Sequence, residues 1–235
     1  MSVKSDKTSA LTKKLWLGLI VLAHGAMAQQ ISNETALPDA VEYAIHSLPA
    51  SQLGLYNGPD YTPTTITAGG HPYFSRDDFA PESIVYDGIP YRDIYLLFDA
   101  AQQRVIIEDN AGNKICPVER KMESFTVDDH TFKRVSDIEG LPTGFYDVLV
   151  DGKELLYARR AKYARGLQWK SSTDYYFFNE GRLFHLTNKK TVVESMTEEE
   201  KNVRQYVRQN KLSFNNKIEA SLISIVRYYS SLKQR

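Results

Sequence analysis

The residues whose types could do chemistry fall into two groups. In Gly69-Gly70-His71-Pro72-Tyr73 a histidine precedes Asp77 and Asp78, a carboxylate–imidazole set suited to a metal ion or a general base. The competing reading of His71 is a loop histidine hydrogen-bonded to backbone. The second group is Arg159-Arg160-Ala161-Lys162-Tyr163-Ala164-Arg165, followed by Trp169-Lys170. Interleaved cations and aromatic rings bind phosphate or carboxylate groups and stack on rings, so Arg160, Lys162, Arg165 and Trp169 are the candidate ligand-binding residues. The bland alternative is a basic edge strand whose charge discourages edge-to-edge pairing.

Beyond these groups, the common catalytic signatures are missing. There is no G-x-S-x-G elbow, no H-E-x-x-H, no phosphate-binding loop and no calcium-loop consensus. Asp109-Asn110-Ala111-Gly112-Asn113 lacks the alternating carboxylates and closing glutamate of a calcium loop and reads as a hairpin turn. His46, His130 and His185 stand apart at no ligand spacing, so neither a metal nor a cofactor is expected. Cys116 is the single cysteine, which excludes an intramolecular disulfide and reads as a small buried hydrophobe.

The chain that must position these residues opens with Lys4, Lys7, Lys13 and Lys14, then the apolar run Leu15 to Ala23, then Ala26-Met27-Ala28. A basic stretch, a short apolar core and an A-x-A site read as a secretory signal peptide over residues 1–28, cleaved before Gln29. Nine apolar residues fall short of the roughly 20 of a spanning helix, so no transmembrane anchor is expected after cleavage. Residues 29–38 read as a flexible leader, and 39–235 as one globular domain. Charge is uneven along it: residues 29–152 carry 8 basic and 20 acidic side chains, residues 153–235 carry 17 and 8. Complementary packing of the two parts accounts for this without a ligand, and a basic surface for an anionic partner is the alternative.

Within that domain, residues 39–81 read as an irregular and weakly helical cover rich in glycine and proline. From residue 82 to 187, short β-branched and aromatic runs alternate with turn signals such as Asp87-Gly88, Asp151-Gly152 and Asn179-Glu180-Gly181. That spacing predicts an antiparallel meander of about ten strands with neighbours paired in sequence order, forming a curved sheet, an open barrel or a sandwich. Asp151-Gly152 predicts a two-residue hairpin turn. Residues 196–235 predict two C-terminal helices: one opened by a capping box at Thr197 and Glu200 and carrying a Glu200–Arg204 pair, the other from about Asn216 with Ile218, Leu222, Ile225, Tyr229 and Leu232 on one face.

One set of residues carries a family likeness. Tyr86-Asp87-Gly88, Tyr91 with Leu97-Phe98-Asp99, Glu123-Ser124-Phe125, Gly144-Phe145-Tyr146-Asp147-Val148-Leu149, Leu156-Tyr157 and Tyr228-Tyr229 resemble an uncharacterised family of exported, β-rich proteins from Bacteroidetes-type bacteria. The resemblance implies export and architecture and assigns no catalytic residues. The functional expectation is an exported, non-enzymatic binding or structural protein of the bacterial envelope, periplasmic or extracellular. Its partners would be an anionic envelope glycan, a lipid headgroup or another envelope protein, and export argues against nucleic acid. The alternatives are a periplasmic carrier of apolar ligands and an exported hydrolase with a dispersed site near His71.

Overall fold

The computed structural model describes residues 54–66, 69–215 and 218–234, all within one compact unit, Ala44–Arg235. The expected signal peptide, its cleavage residues Ala26, Ala28 and Gln29, the expected leader and residues 39–53 of the expected cover lie outside the described residues. Ten strands form one open antiparallel sheet: β1 (Ala80–Tyr86), β2 (Ile89–Asp99), β3 (Arg104–Glu108), β4 (Lys114–Ile115), β5 (Met122–Val127), β6 (His130–Val135), β7 (Gly144–Val150), β8 (Leu155–Arg165), β9 (Gln168–Asn179) and β10 (Arg182–Leu186). Their spatial order is β10-β9-β8-β7-β6-β5-β1-β2-β3-β4. The sheet is open and does not close into a barrel.

Turn chemistry explains most of the connections. Asp87-Gly88 and Glu180-Gly181 both take positive φ at their two central positions, the geometry whose twist matches a hairpin. Gly166 opens the tight turn between β8 and β9 with φ +60. Two expectations are corrected. The β7–β8 connection spans residues 151–154 with a register shift at Val148/Val150, so Asp151-Gly152 is not a two-residue turn. Nor do β4 and β5 pair: β4 lies at the sheet edge, and the chain returns through a 3₁₀ turn at Glu119–Lys121 to set β5 beside β1.

That return follows from curvature. The inner face of β1, β5, β6 and β7 presents Ile84, Phe125, Phe132 and Phe145, and the β2–β4 strands fold Phe98, Val105, Ile107 and Ile115 against them in one core. Phe98, Phe125, Phe132 and Phe145 meet in stacked and edge-on contacts with ring centroids 5.0 to 6.2 Å apart. Aromatic rings prefer such arrangements and gain beyond their area burial. A notch of about 10 Å³ lies beside Cys116 and Phe145.

Three helices follow the last strand: α1 (Lys189–Glu194), α2 (Glu200–Gln209) and α3 (Ile218–Lys233). The sequence pattern gave no sign of α1. Its N-terminus carries a reciprocal cap in which the Asn188 side chain accepts from the Lys190 and Thr191 backbone, while the Thr191 hydroxyl accepts from the Asn188 backbone. At the expected capping box the structure differs: Thr197–Glu199 is a 3₁₀ turn, and α2 begins at Glu200 without a side-chain cap. The Glu200–Arg204 pair does form, at 2.7 Å. Val192, Val203, Leu222, Ile225 and Tyr229 cover Leu156, Ala158, Tyr175 and Phe177, so the helices close the β8–β9 part of the inner face. No helix among the described residues is long and apolar enough to cross a membrane.

Candidate functional site

Strand alternation separates the basic residues of β8. Successive side chains point to opposite faces, and β8 pairs with β9 without a register break from Leu155↔Phe178 to Arg165↔Gln168. Arg160 and Lys162, with Trp169 across the strand pair, share the inner face; Arg159, Tyr163 and Arg165, with Lys170, share the outer one. The four candidate ligand-binding residues therefore do not form one patch. Arg160, Lys162 and Trp169 face the strap described next, and Arg165 faces away from it.

Residues 69–79 form that strap. Gly69 exchanges backbone hydrogen bonds with Leu167 and Trp169 at the ribbon tip, and Pro72 and Phe74 bond the end of β2 at Ala100 and Phe98. Between these anchors, Lys162 Nζ donates to the His71 carbonyl at 3.2 Å and lies 3.4 Å from His71 Nδ1. The His71 ring stacks on Tyr73. Burial lowers the Lys162 pKa, with Asp77 opposing the shift. The structure thus gives His71 a lysine and a tyrosine as partners; no hydrogen bond joins it to Asp77 or Asp78 among the described residues.

A polar cluster that sequence reasoning missed sits a few residues away on the same inner face. Asp147 on β7 is buried, and its Oδ2 accepts from His130 Nδ1 on β6 at 2.8 Å and from Arg160 Nε at 2.9 Å, with Arg160 Nη2 on the same oxygen. Arg160 Nη1 reaches on to Glu219 Oε2 in the first turn of α3 at 2.6 Å, and the Tyr175 hydroxyl donates to that oxygen at 3.0 Å. Phe74 of the strap lies edge-on to His130 and beneath the Arg160 guanidinium. Six chain segments converge here: β6, β7, β8, β9, α3 and the strap.

The electrostatics follow from burial and pairing. Desolvation works against the Arg160 charge, but its bonds to Glu219 and Asp147 outweigh it and raise its pKa. Burial pushes the Glu219 carboxyl up, yet the Arg160 bond holds it below its ordinary value. Burial, then the Glu219 charge, pushes the Tyr175 hydroxyl up to about 12. A carboxylate can only accept, so the Asp147 contact fixes the His130 proton on Nδ1. His130 Nε2 faces Asp129 at 3.5 Å.

A histidine oriented by a buried carboxylate is one half of a general base. The other half is missing here, because no serine, threonine or cysteine is hydrogen-bonded to Nε2 among the described residues. Nor do the described residues include a cluster of three or more histidine, cysteine or carboxylate side chains that could hold a metal ion. The cluster therefore forms a seam that ties strap, sheet and α3 together. Asp147 Oδ1 is buried and makes no hydrogen bond among the described residues.

What the strap and the seam leave open to solvent is the outer face of the β8–β9 ribbon. β7 pairs with β8 only as far as Ala158, and β10 with β9 only from Tyr175, so the ribbon beyond these points extends past both neighbours. There Tyr163 is 46% exposed and Leu167, at the tip, 82%. Arg165 and Lys170 are exposed beside them. No family model, curated protein or solved structure matches the chain.

Proposed function

We propose that the protein is an exported, non-enzymatic component of the bacterial envelope that binds an anionic partner through the outer face of the β8–β9 ribbon. The observation that carries this reading is the projecting ribbon half itself, with Tyr163, Arg165 and Lys170 on one exposed face and no acid between them along the paired strands. Cations beside an aromatic ring suit clustered phosphate or carboxylate groups, which both an envelope glycan and a lipid headgroup present. Export, expected from residues 1–28, selects these over nucleic acid. The hydrolase alternative loses support because His71 is engaged by Lys162 instead of a carboxylate.

The experiment is a binding assay with two arms, a soluble anionic polysaccharide and vesicles containing phosphatidylglycerol, comparing the natural chain with a Tyr163→Ala, Arg165→Ala, Lys170→Ala variant. Binding to one arm should fall about tenfold or more in the variant and weaken with added salt, since exposed charges are screened within about 10 Å at 0.1 M. Equal binding by both proteins, or binding insensitive to salt, rejects the reading.

A further inference from the structure

Helix α3 carries a second exposed feature with a different chemistry. Its outward stripe, Ala220, Ile223, Ser224, Arg227 and Tyr228, lines a groove of about 540 Å³ against Tyr206 of α2. The Tyr206 and Tyr228 rings stack at 4.0 Å and 6°, and the Tyr206 hydroxyl is hydrogen-bonded to Ser224 Oγ at 2.8 Å, so the groove has a fixed aromatic wall. One turn further on, the stripe continues through Arg227, Ser230, Ser231 and Gln234 into a hollow of about 330 Å³ closed by residues 149–154 of the β7–β8 connection. Arg227 lines both spaces. From Ala220 to Gln234 at 1.5 Å per residue the two make a trough roughly 21 Å long.

Its two ends differ. The Tyr206 end is aromatic and aliphatic, whereas the far end offers serine hydroxyls, a glutamine amide and two cations, Lys153 and Arg227. Of the two acids there, Asp151 is paired with Lys133 at 2.7 Å and the buried Glu154 offsets Lys153, which leaves Arg227 as the hollow's net positive charge. Arg227 is exposed and makes no hydrogen bond or ion pair among the described residues. An unpaired guanidinium standing between an apolar groove and a polar hollow complements a molecule with the same division. Each space also falls in the volume range of small-molecule sites, about 300–1,000 Å³.

We infer that this trough binds a single-chain anionic amphiphile, with the alkyl chain along Ala220, Ile223 and Tyr228 and the phosphate or carboxylate head between Arg227 and the Ser230 hydroxyl, the Ser231 hydroxyl being already donated to the Tyr228 carbonyl at 2.6 Å. The inference is independent of the ribbon reading, since no residue of β8 or β9 lines the trough.

The test is calorimetric titration of the full chain with dodecyl phosphate below its micelle concentration. One saturable site is expected. Arg227→Glu should weaken it by at least about tenfold, the scale of one lost charge-assisted contact, and Arg227→Lys by less. Ala220→Trp, which fills the apolar end, should weaken binding while the thermal melt stays in place. Arg165→Ala with Lys170→Ala should leave it unchanged, so failure here and failure of the ribbon reading are separable. Absence of saturation, an Arg227→Glu variant that binds like the natural chain, or Arg227-dependent binding to anionic vesicles without binding of the monomeric amphiphile would each overturn the inference.

Discussion

The inner face of the sheet is closed by two different devices, and the contrast shows where the molecule is robust and where it depends on single contacts. Over β1, β5 and β6 the cover is the sheet itself, curled so that β2–β4 bring their apolar side chains onto a block of phenylalanines. Over β8 and β9 the cover is helical and arrives late in the chain, from residue 189 onward. The first cover is continuous with the ladder hydrogen bonds and cannot lift without breaking them. The second rests on side-chain packing and on side-chain bonds, from Arg160 and Tyr175 to Glu219, from Asn179 to Ser195 and Tyr229, and from Glu180 to Lys233.

The largest effect expected from this comparison lies in the curled half. Phe132 is fully buried and touches the rings of Phe74, Phe98 and Phe125. Phe132→Ala should cost about 3–5 kcal/mol, read as a lower denaturant midpoint at unchanged slope. Leu222→Ala under the helices should cost about 2–5 kcal/mol by the same measure. If the halves form one cooperative unit, far-ultraviolet circular dichroism and tyrosine fluorescence will report one transition in both variants. A split transition in Leu222→Ala alone would show that the helical cover unfolds separately.

Next in size is the seam. Arg160→Met removes the cation between two carboxylates, one of them buried, and uncompensated buried charge costs about 3–5 kcal/mol. Asp129, Asp147, Glu219, His130 and Tyr175 are the titratable groups that face it. Destabilisation near the low end of that range is expected, because Glu219 is partly exposed and can turn to water. Hydrogen exchange should then rise in α3 and stay unchanged in β5. Equal protection of both elements would show that packing and the bonds of Tyr175, Asn179 and Glu180 seat the helix without Arg160.

Much of this architecture is legible in the sequence, and the exceptions share a cause. Strand runs and turns show through period-two alternation and through Asp-Gly and Glu-Gly pairs, all short-range signals. The return of β5 to β1 does not show, since it depends on curvature that brings Ile115 into one core with Phe125. The seam is equally hidden, for His130, Asp147, Arg160 and Glu219 are joined across 17, 13 and 59 residues. One signal for it was available: Asp147 stands alone in the apolar strand Gly144–Val150, and a lone charge there demands a partner. Reading Arg159 to Arg165 as a single patch ignored the same alternation that located the strands.

A smaller effect is the acid response of the helical half. Glu219 has its pKa lowered from 4.5, so its contribution is present above that value and is lost as pH falls through its folded value. Melting temperature should therefore decline below about pH 4.5, and the Glu219→Gln variant should show a shallower decline. Identical slopes for the two proteins would remove Glu219 from the link between α3 and the sheet.

The smallest effect on stability belongs to the ribbon's outer face, and its smallness makes it diagnostic. Arg165 and Lys170 are exposed, Lys170 bonds only Gln168 at 2.6 Å, and the strands behind them stay paired without either side chain. Alanine at both positions should change stability by no more than about 0.5 kcal/mol, in contrast to Arg160→Met on the opposite face of the same strand. A large loss would mean that these cations hold the ribbon itself in place. With stability unchanged, any fall in anion binding by the same variant is a loss of contact and not of fold, which makes the strand's two faces separable in function as they are in packing.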